Sequence, residues 1–196
     1  SILITGGTGL IGSGLVESID KSIYKVYVLT RKKPYKENEV DYINWDPDKS
    51  ILDISHIKNL YSVINLAGQS IDGSRWTKKY KQKILESRIN STRLLFNKIK
   101  EREQLPKSFI SASATGFYSE NTVSPQKEND KPGNNFLSSV VKEWEKEISR
   151  FNSIGIRTTV FRIGLVLSKD GGVLKRLYPI FKLFLGVPIG LSLIHI

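Results

Sequence analysis

The sequence predicts an α/β fold, a doubly wound parallel sheet of the Rossmann type with helices on both faces. Two observations carry that expectation. Short apolar runs rich in β-branched residues recur along the 196 residues, and longer segments with helical apolar spacing separate them. The glycine-dense stretch Thr5-Gly6-Gly7-Thr8-Gly9-Leu10-Ile11-Gly12 also stands between the first apolar run and the first helical segment.

The elements follow in order. Ile2–Thr5 reads as a strand, and Leu10 to Ile19 as a helix with Leu10, Ile11, Leu15 and Ile19 at helical spacing. Lys25–Thr30 is a second strand, Asp41–Trp45 a third and Ser62–Ala67 a fourth. Ser74–Glu103 suits one or two helices through Trp76, Tyr80, Ile84, Leu95 and Ile99. Lys107–Ala112 is a fifth strand, and Arg157–Phe161 a sixth. Between them, Ser138–Phe151 places Val140, Val141, Trp144, Ile148 and Phe151 on one helical face. The polar stretch Ser119–Asn135 reads as a long loop, a length that often carries function.

In the glycine stretch, an early glycine lets the chain turn sharply out of the strand. A middle one, lacking Cβ, lets backbone approach a pyrophosphate, and Gly12 lets the helix pack close to the sheet. The helix N-terminus then directs N–H groups and partial positive charge at the phosphates. Sites for NAD place an acid about 20 residues on, against the ribose hydroxyls. Here that position reads Thr30-Arg31-Lys32-Lys33, which suits the additional phosphate of NADP(H) instead.

Composition narrows the remaining classes. Without cysteine there are no disulfides, thiolate metal sites or cysteine nucleophiles, and only His56 and His195 offer imidazole, so no metal is expected. No run of eighteen apolar residues suggests a membrane span; Ile180 to Ile189 is short and broken by Lys182. No signal-peptide pattern opens the sequence, and a cytoplasmic location is the expectation. The formal charge of +11 is dispersed over several helices with no nucleic-acid motif, which reads as a lysine-rich solvated surface rather than a nucleic-acid partner.

Five segments in order resemble the atypical, epimerase-like branch of the extended short-chain dehydrogenase/reductase superfamily. That family is often labelled nucleoside-diphosphate-sugar epimerase or cell-division-inhibitor-like. The segments are ITGGTGLIG, VINLAGQSI with RWTKKYKQKILESRINST, SASATGFY, FLSSVVKEWE, and RIGLVLSKDGG continuing to GVPIG. The resemblance implies that Gly6, Gly7, Thr8, Gly9, Leu10, Ile11 and Gly12 line the pyrophosphate. It implies that Thr30, Arg31 and Lys32 meet the adenosine ribose phosphate. Leu66, Ala67 and Gly68 would pass beside the ribose and phosphates, with Arg88 and Val166 as further contacts.

Superfamily chemistry uses a Ser-Tyr-Lys set, in which tyrosine moves the carbinol proton while hydride moves on the nicotinamide. Ser113 matches the serine. The expected Tyr-x-x-x-Lys falls on Phe136-Leu137-Ser138-Ser139-Val140-Val141, and Lys142 is out of step. Tyr118 is the substitute the sequence offers, with aromatic packing as its alternative role. Trp76, Tyr80 and Trp144 are candidates for a substrate cage or for core. Arg75, Arg88 and Arg162 are candidates for a substrate diphosphate, with a surface or cofactor contact as the alternative for each.

The resemblance also implies a C-terminal substrate region that is largely absent. Residues 1–170 are expected to form the NADP-binding domain and 171–196 the start of that region, with Leu191–Ile196 resembling a family strand that reads Trp-Ile-His-Ile. Two functions follow. One is an NADP(H)-dependent, epimerase-like oxidoreductase acting on a small-molecule carbonyl or sugar-nucleotide substrate. The other is a non-catalytic dinucleotide-binding regulator, for example in cell division. The sequence leaves the oligomeric state open.

Overall fold

The computed structural model describes residues 1–119 and 124–184. The expected strand at Leu191–Ile196, with His195 and the GVPIG segment, lies outside the described residues. The chain divides after Gly164 into two compact units.

In the first unit the strands are β1 (Ile2–Thr5), β2 (Val26–Thr30), β3 (Tyr35–Glu37), β4 (Val40–Asp46), β5 (Ile51–Leu52), β6 (Ser62–Asn65), β7 (Ser108–Ala114) and β8 (Arg157–Ile163). The helices are α1 (Leu10–Ser18), α2 (Lys78–Lys100) and α3 (Phe136–Ser149). The spatial strand order is β3-β4-β2-β1-β6-β7-β8. Pairs from β4 through β8 along this path are parallel, and among the described residues only β3 and β5 pair antiparallel, both with β4. The six parallel strands thus run 3-2-1-4-5-6, a Rossmann-type doubly wound sheet whose order reverses between β1 and β6.

The central strands β1 and β2 alternate their side chains between two apolar layers, as strands covered on both faces must. Ile4, Val26 and Val28 pack with Val16 of α1 on one face. Leu3, Leu29, Val63 and Phe109 pack on the other against Leu95 and Ile99 of α2 and Trp144 and Ile148 of α3. Stacked Phe109 and Phe151 rings, 3.6 Å between centroids, hold the end of α3 to β7.

Tyr35–Glu37 and Ile51–Leu52 are the strands that the periodicity did not signal. β3 is exposed throughout and returns into β4 through Asn38 and Glu39, both at positive φ, without the glycine that marks such a turn. Stacked Tyr35 and Tyr42, 4.1 Å apart, fix its register. Ser74–Glu103 resolves into the single helix α2, started by the Thr77 side chain accepting from the Tyr80 N–H.

The second unit contains α4 (Gly172–Lys182), which begins at a left-handed Gly172 and carries Pro179 in its last turns. Val166 lies in this unit. Among the described residues no helix is long and apolar enough to cross a membrane.

Candidate active site

All six parallel strands deliver their C-terminal ends to one edge of the sheet, and the crevice there opens where the order reverses, between β1 and β6. Two structures lie along that edge, one made of backbone and one of charged side chains.

The backbone half follows β1. Gly6 takes φ +68°, and a Cβ there would lie 2.6 Å from the Leu66 carbonyl oxygen. The Gly9 N–H closes the turn onto the Gly6 carbonyl at 2.9 Å, and the Ser13 N–H reaches the Gly9 carbonyl at 2.8 Å to begin α1. A Cβ on Gly12 would stand 2.2 Å from the Gly6 oxygen and 2.7 Å from the Gly7 Cα. Helix and turn can therefore approach this closely only with glycine at position 12. The first-turn N–H groups of a helix have no intrahelical acceptors. In α1 no side chain caps them and no acid occupies the first turn. Thr8, Leu10 and Ile11 lie on this turn at the head of α1.

β2 ends beside it at Thr30, whose hydroxyl accepts from the Lys32 N–H at 3.2 Å. Asn44 pins the same loop by donating to the Lys32 carbonyl at 2.9 Å. Arg31 and Lys32 are exposed, and no salt bridge engages either among the described residues.

Across the switch point a buried hydroxyl-amide network sets the loop after β6. The Thr5 hydroxyl donates to the Asn65 Oδ1 at 2.7 Å and accepts from the N–H groups of Leu66 and Ala67, both at 3.1 Å. Asn65 Nδ2 donates to Thr92 of α2 and Ser111 of β7, each at 3.2 Å, and Trp144 Nε1 also donates to Thr92. Gly68 then passes under the Arg88 guanidinium, whose Nη1 donates to the carbonyls of Gln69 and Ile84 at 3.0 Å each. Burial holds Arg88 below the usual arginine range, and the ring of Trp144 lies beneath it at 5.3 Å. Trp144 is core here. Thr5 and Asn65 stand in segments the sequence marks, but nothing in it signals that they bond each other and Thr92, because small polar residues at strand and helix positions carry no periodic signal.

The side-chain half joins β7, β8 and α3. Ser113, 4% exposed, donates to Glu145 Oε1 of α3 at 2.5 Å. Arg162 of β8 grips the same carboxylate with Nε at 2.9 Å and Nη2 at 2.8 Å, a bidentate fork. Its Nη1 donates to Tyr118 Oη at 2.8 Å and to the Glu128 carbonyl at 2.9 Å. The guanidinium also lies 3.6 Å from the centroid of Phe117.

Burial works to raise the Glu145 carboxyl, but the hydrogen bonds from Arg162 and Ser113 outweigh it and hold the group below the usual carboxylate range. The hydrogen bond to Glu145 pushes Arg162 above the ordinary arginine value. Arg162, one of three arginines considered for a substrate diphosphate, is thus paired with an internal carboxylate. Glu145 was not foreseen; an acid in a lysine-rich helical segment reads as surface.

Ser138, almost fully buried, ties the start of α3 to the turn carrying Tyr118, donating its hydroxyl to the Gly116 carbonyl at 2.9 Å. Phe136 occupies the expected tyrosine position. Val140 and Val141 are buried against the sheet, and Lys142 faces solvent. No lysine of α3 therefore takes the place of the superfamily lysine. Val166 belongs to the second unit and Arg75 is exposed.

This strand order, with a glycine turn at its switch point, defines a Rossmann-type protein. The chain belongs to the NAD dependent epimerase/dehydratase family, whose model matches residues 2–169. An Epimerase family protein of Staphylococcus aureus (strain MRSA252) is 38% identical over 190 residues, covering 96% of this chain and 62% of the relative. One of Staphylococcus haemolyticus (strain JCSC1435) is 37% identical over the same span. The chain thus spans 62% of the length of the curated relatives it matches.

Among solved structures, the human epimerase family protein SDR39U1 (isoform 2) with NADPH superposes with a TM-score of 0.83 at 28% identity, covering 97% of this chain and 62% of that one. The nucleoside-diphosphate sugar epimerase from Corynebacterium glutamicum gives 0.76 at 29% identity, covering 92% and 37%.

Proposed function

We propose that this chain binds NADP(H) and belongs to an epimerase-like oxidoreductase acting on a carbonyl-bearing small molecule, a sugar nucleotide among the candidates. One observation carries the cofactor reading. The uncapped, acid-free start of α1 sits behind a turn that only glycine can form, and β2 beside it ends in Arg31 and Lys32 where NAD sites carry an acid. The human relative described with NADPH supports the same choice. Residues 171–196 would begin the substrate-binding region.

Gly6, Gly7, Thr8, Gly9, Leu10, Ile11 and Gly12 would hold the pyrophosphate, and Thr30, Arg31 and Lys32 the ribose phosphate. Leu66, Ala67 and Gly68 would flank the ribose, while Arg88 acts by fixing that loop. A bound nicotinamide supplies or accepts hydride. The proton falls to Tyr118. Because Arg162 donates to its oxygen, the phenol's own hydrogen is free to point away from Arg162, toward a substrate oxygen. Ser113, with its hydrogen directed at Glu145, presents only lone pairs elsewhere. Glu145 and Arg162 are positioning residues for this pair.

Equilibrium titration with NADPH and NADH tests the cofactor reading. NADPH should bind at least about tenfold tighter, a preference lost on Arg31→Asp. Equal affinities would contradict it. The second reading, a non-catalytic dinucleotide-binding regulator, is favoured by the engagement of Ser113 and Arg162 with Glu145 and by the missing lysine on α3. Transfer of labelled hydride from NADPH to a carbonyl compound by the full-length protein, abolished by Tyr118→Phe, would exclude it.

A further inference from the structure

We propose that Asn44 is a positioning residue for cofactor selection, holding the basic segment 31–34 in the shape that presents Arg31 and Lys32 to the ribose phosphate of NADP(H). This rests on the cofactor reading above and assigns part of the selectivity to a neutral residue of β4.

Residues 31–34 belong to no strand or helix, and all four are exposed. Both ends of the segment are nevertheless fixed on one strand. β2 stops at Thr30, which pairs with Asn44 of β4, and β3 starts at Tyr35, which pairs with Tyr42 of the same strand. β2 and β3 flank β4 on opposite sides, so the four residues strap across it. Stacked rings of Tyr35 and Tyr42, at 6° to one another, hold the far end. Pro34, with its fixed φ, stiffens the entry to β3.

Hydrogen bonds to backbone hold the near end. Thr30, 7% exposed, accepts from the Lys32 N–H at 3.2 Å, and Asn44 Nδ2 donates to the Lys32 carbonyl at 2.9 Å. Both peptide groups flanking the Lys32 Cα are thereby fixed, and the first of them joins Lys32 to Arg31. The directions in which Arg31 and Lys32 leave the backbone follow from these two bonds. The Thr30 bond is local, whereas Asn44 ties the strap to a different strand.

A loose basic loop attracts anions of any shape. Selecting a phosphate over a ribose hydroxyl through paired hydrogen bonds requires the guanidinium in place beforehand, because ordering it during binding costs affinity. Asn44 meets that requirement without adding charge. A carboxylate at position 44 would accept where the Lys32 carbonyl also accepts, and would set a negative charge beside the strap.

The test titrates the full chain with NADPH and with NADH and follows the ratio of the two affinities. A residue that only supports the fold changes both together and leaves the ratio in place. Asn44→Ala should lower the NADPH preference about fivefold, and Asn44→Asp about tenfold or more. Arg31→Ala completes a double-substitution cycle. Its effect on the ratio should be smaller in the Asn44→Ala background than in the unsubstituted chain, because Asn44 acts through the strap. An unchanged ratio in both Asn44 variants, or fully additive losses in the cycle, would overturn the proposal while leaving the cofactor reading intact. Equal affinities for NADPH and NADH in the unsubstituted protein would overturn both.

Discussion

The two halves of the crevice edge are built from different materials. Around β1 and α1 the surface is backbone: Gly6 at positive φ, Gly12 against the Gly6 carbonyl, and uncapped N–H groups. Around β7, β8 and α3 it is ionised side chains, Glu145 held by Arg162 and Ser113. A backbone surface is set by local steric rules and tolerates almost no substitution. A side-chain surface depends on residues far apart in sequence, and it responds to pH.

The largest expected effect separates the halves most sharply. Gly12→Ala places a methyl 2.2 Å from the Gly6 oxygen, so the turn must open. We expect about 3 kcal/mol of destabilisation by chemical denaturation, with loss of dinucleotide binding. Gly14→Ala is its control two residues on: a Cβ there meets nothing within 4 Å. That change should stabilise the protein by about 0.5–1 kcal/mol and leave binding intact.

Next in size is Glu145→Gln, which leaves the Arg162 guanidinium, only 18% exposed, without its counter-charge. The cost should be about 2 kcal/mol, below that of a fully buried pair because solvent reaches this one. Dinucleotide affinity should be retained, since no contact in the network involves the turn.

The same carboxylate sets a pH dependence. Its folded-state pKa is held below the unfolded value, so the folded state binds fewer protons. The stabilisation is therefore complete above the ordinary glutamate pKa, about 4.3, and is lost as pH falls through the lower folded value. Glu147, held down similarly by Arg93 and Arg150 despite burial, adds to the slope. Thermal melts from neutral to acid pH should show a shallower loss in Glu145→Gln than in the unsubstituted protein. Identical slopes would show that Glu145 does not set this pH dependence. The smallest effect is local: Thr77→Ala removes the side-chain acceptor at the start of α2 and should cost about 1 kcal/mol.

What the sequence makes legible follows the same division. The glycine turn, the parallel strands and the helices α1 and α3 are visible because glycine spacing and apolar periodicity are local signals. Arg31 is visible by its position after β2. The side-chain network is not, because Ser113 and Glu145 are separated by 32 residues and Tyr118 and Arg162 by 44. Nothing in either segment marks its partner. The same limit explains Arg88 and Trp144: each residue type suits a ligand contact, yet packing sets one over the other beneath the loop after β6. Tyr35–Glu37 escaped notice for a different reason, since three exposed residues carry no amphipathic pattern.

The central claim is that the backbone half, with Arg31, holds the dinucleotide, and that the Glu145 network does not. Parallel NADPH titrations of the unsubstituted protein, Arg31→Asp and Glu145→Gln measure it directly. NADPH affinity should fall at least about tenfold in Arg31→Asp and change within about twofold in Glu145→Gln. Retained affinity in Arg31→Asp together with a loss in Glu145→Gln would contradict it.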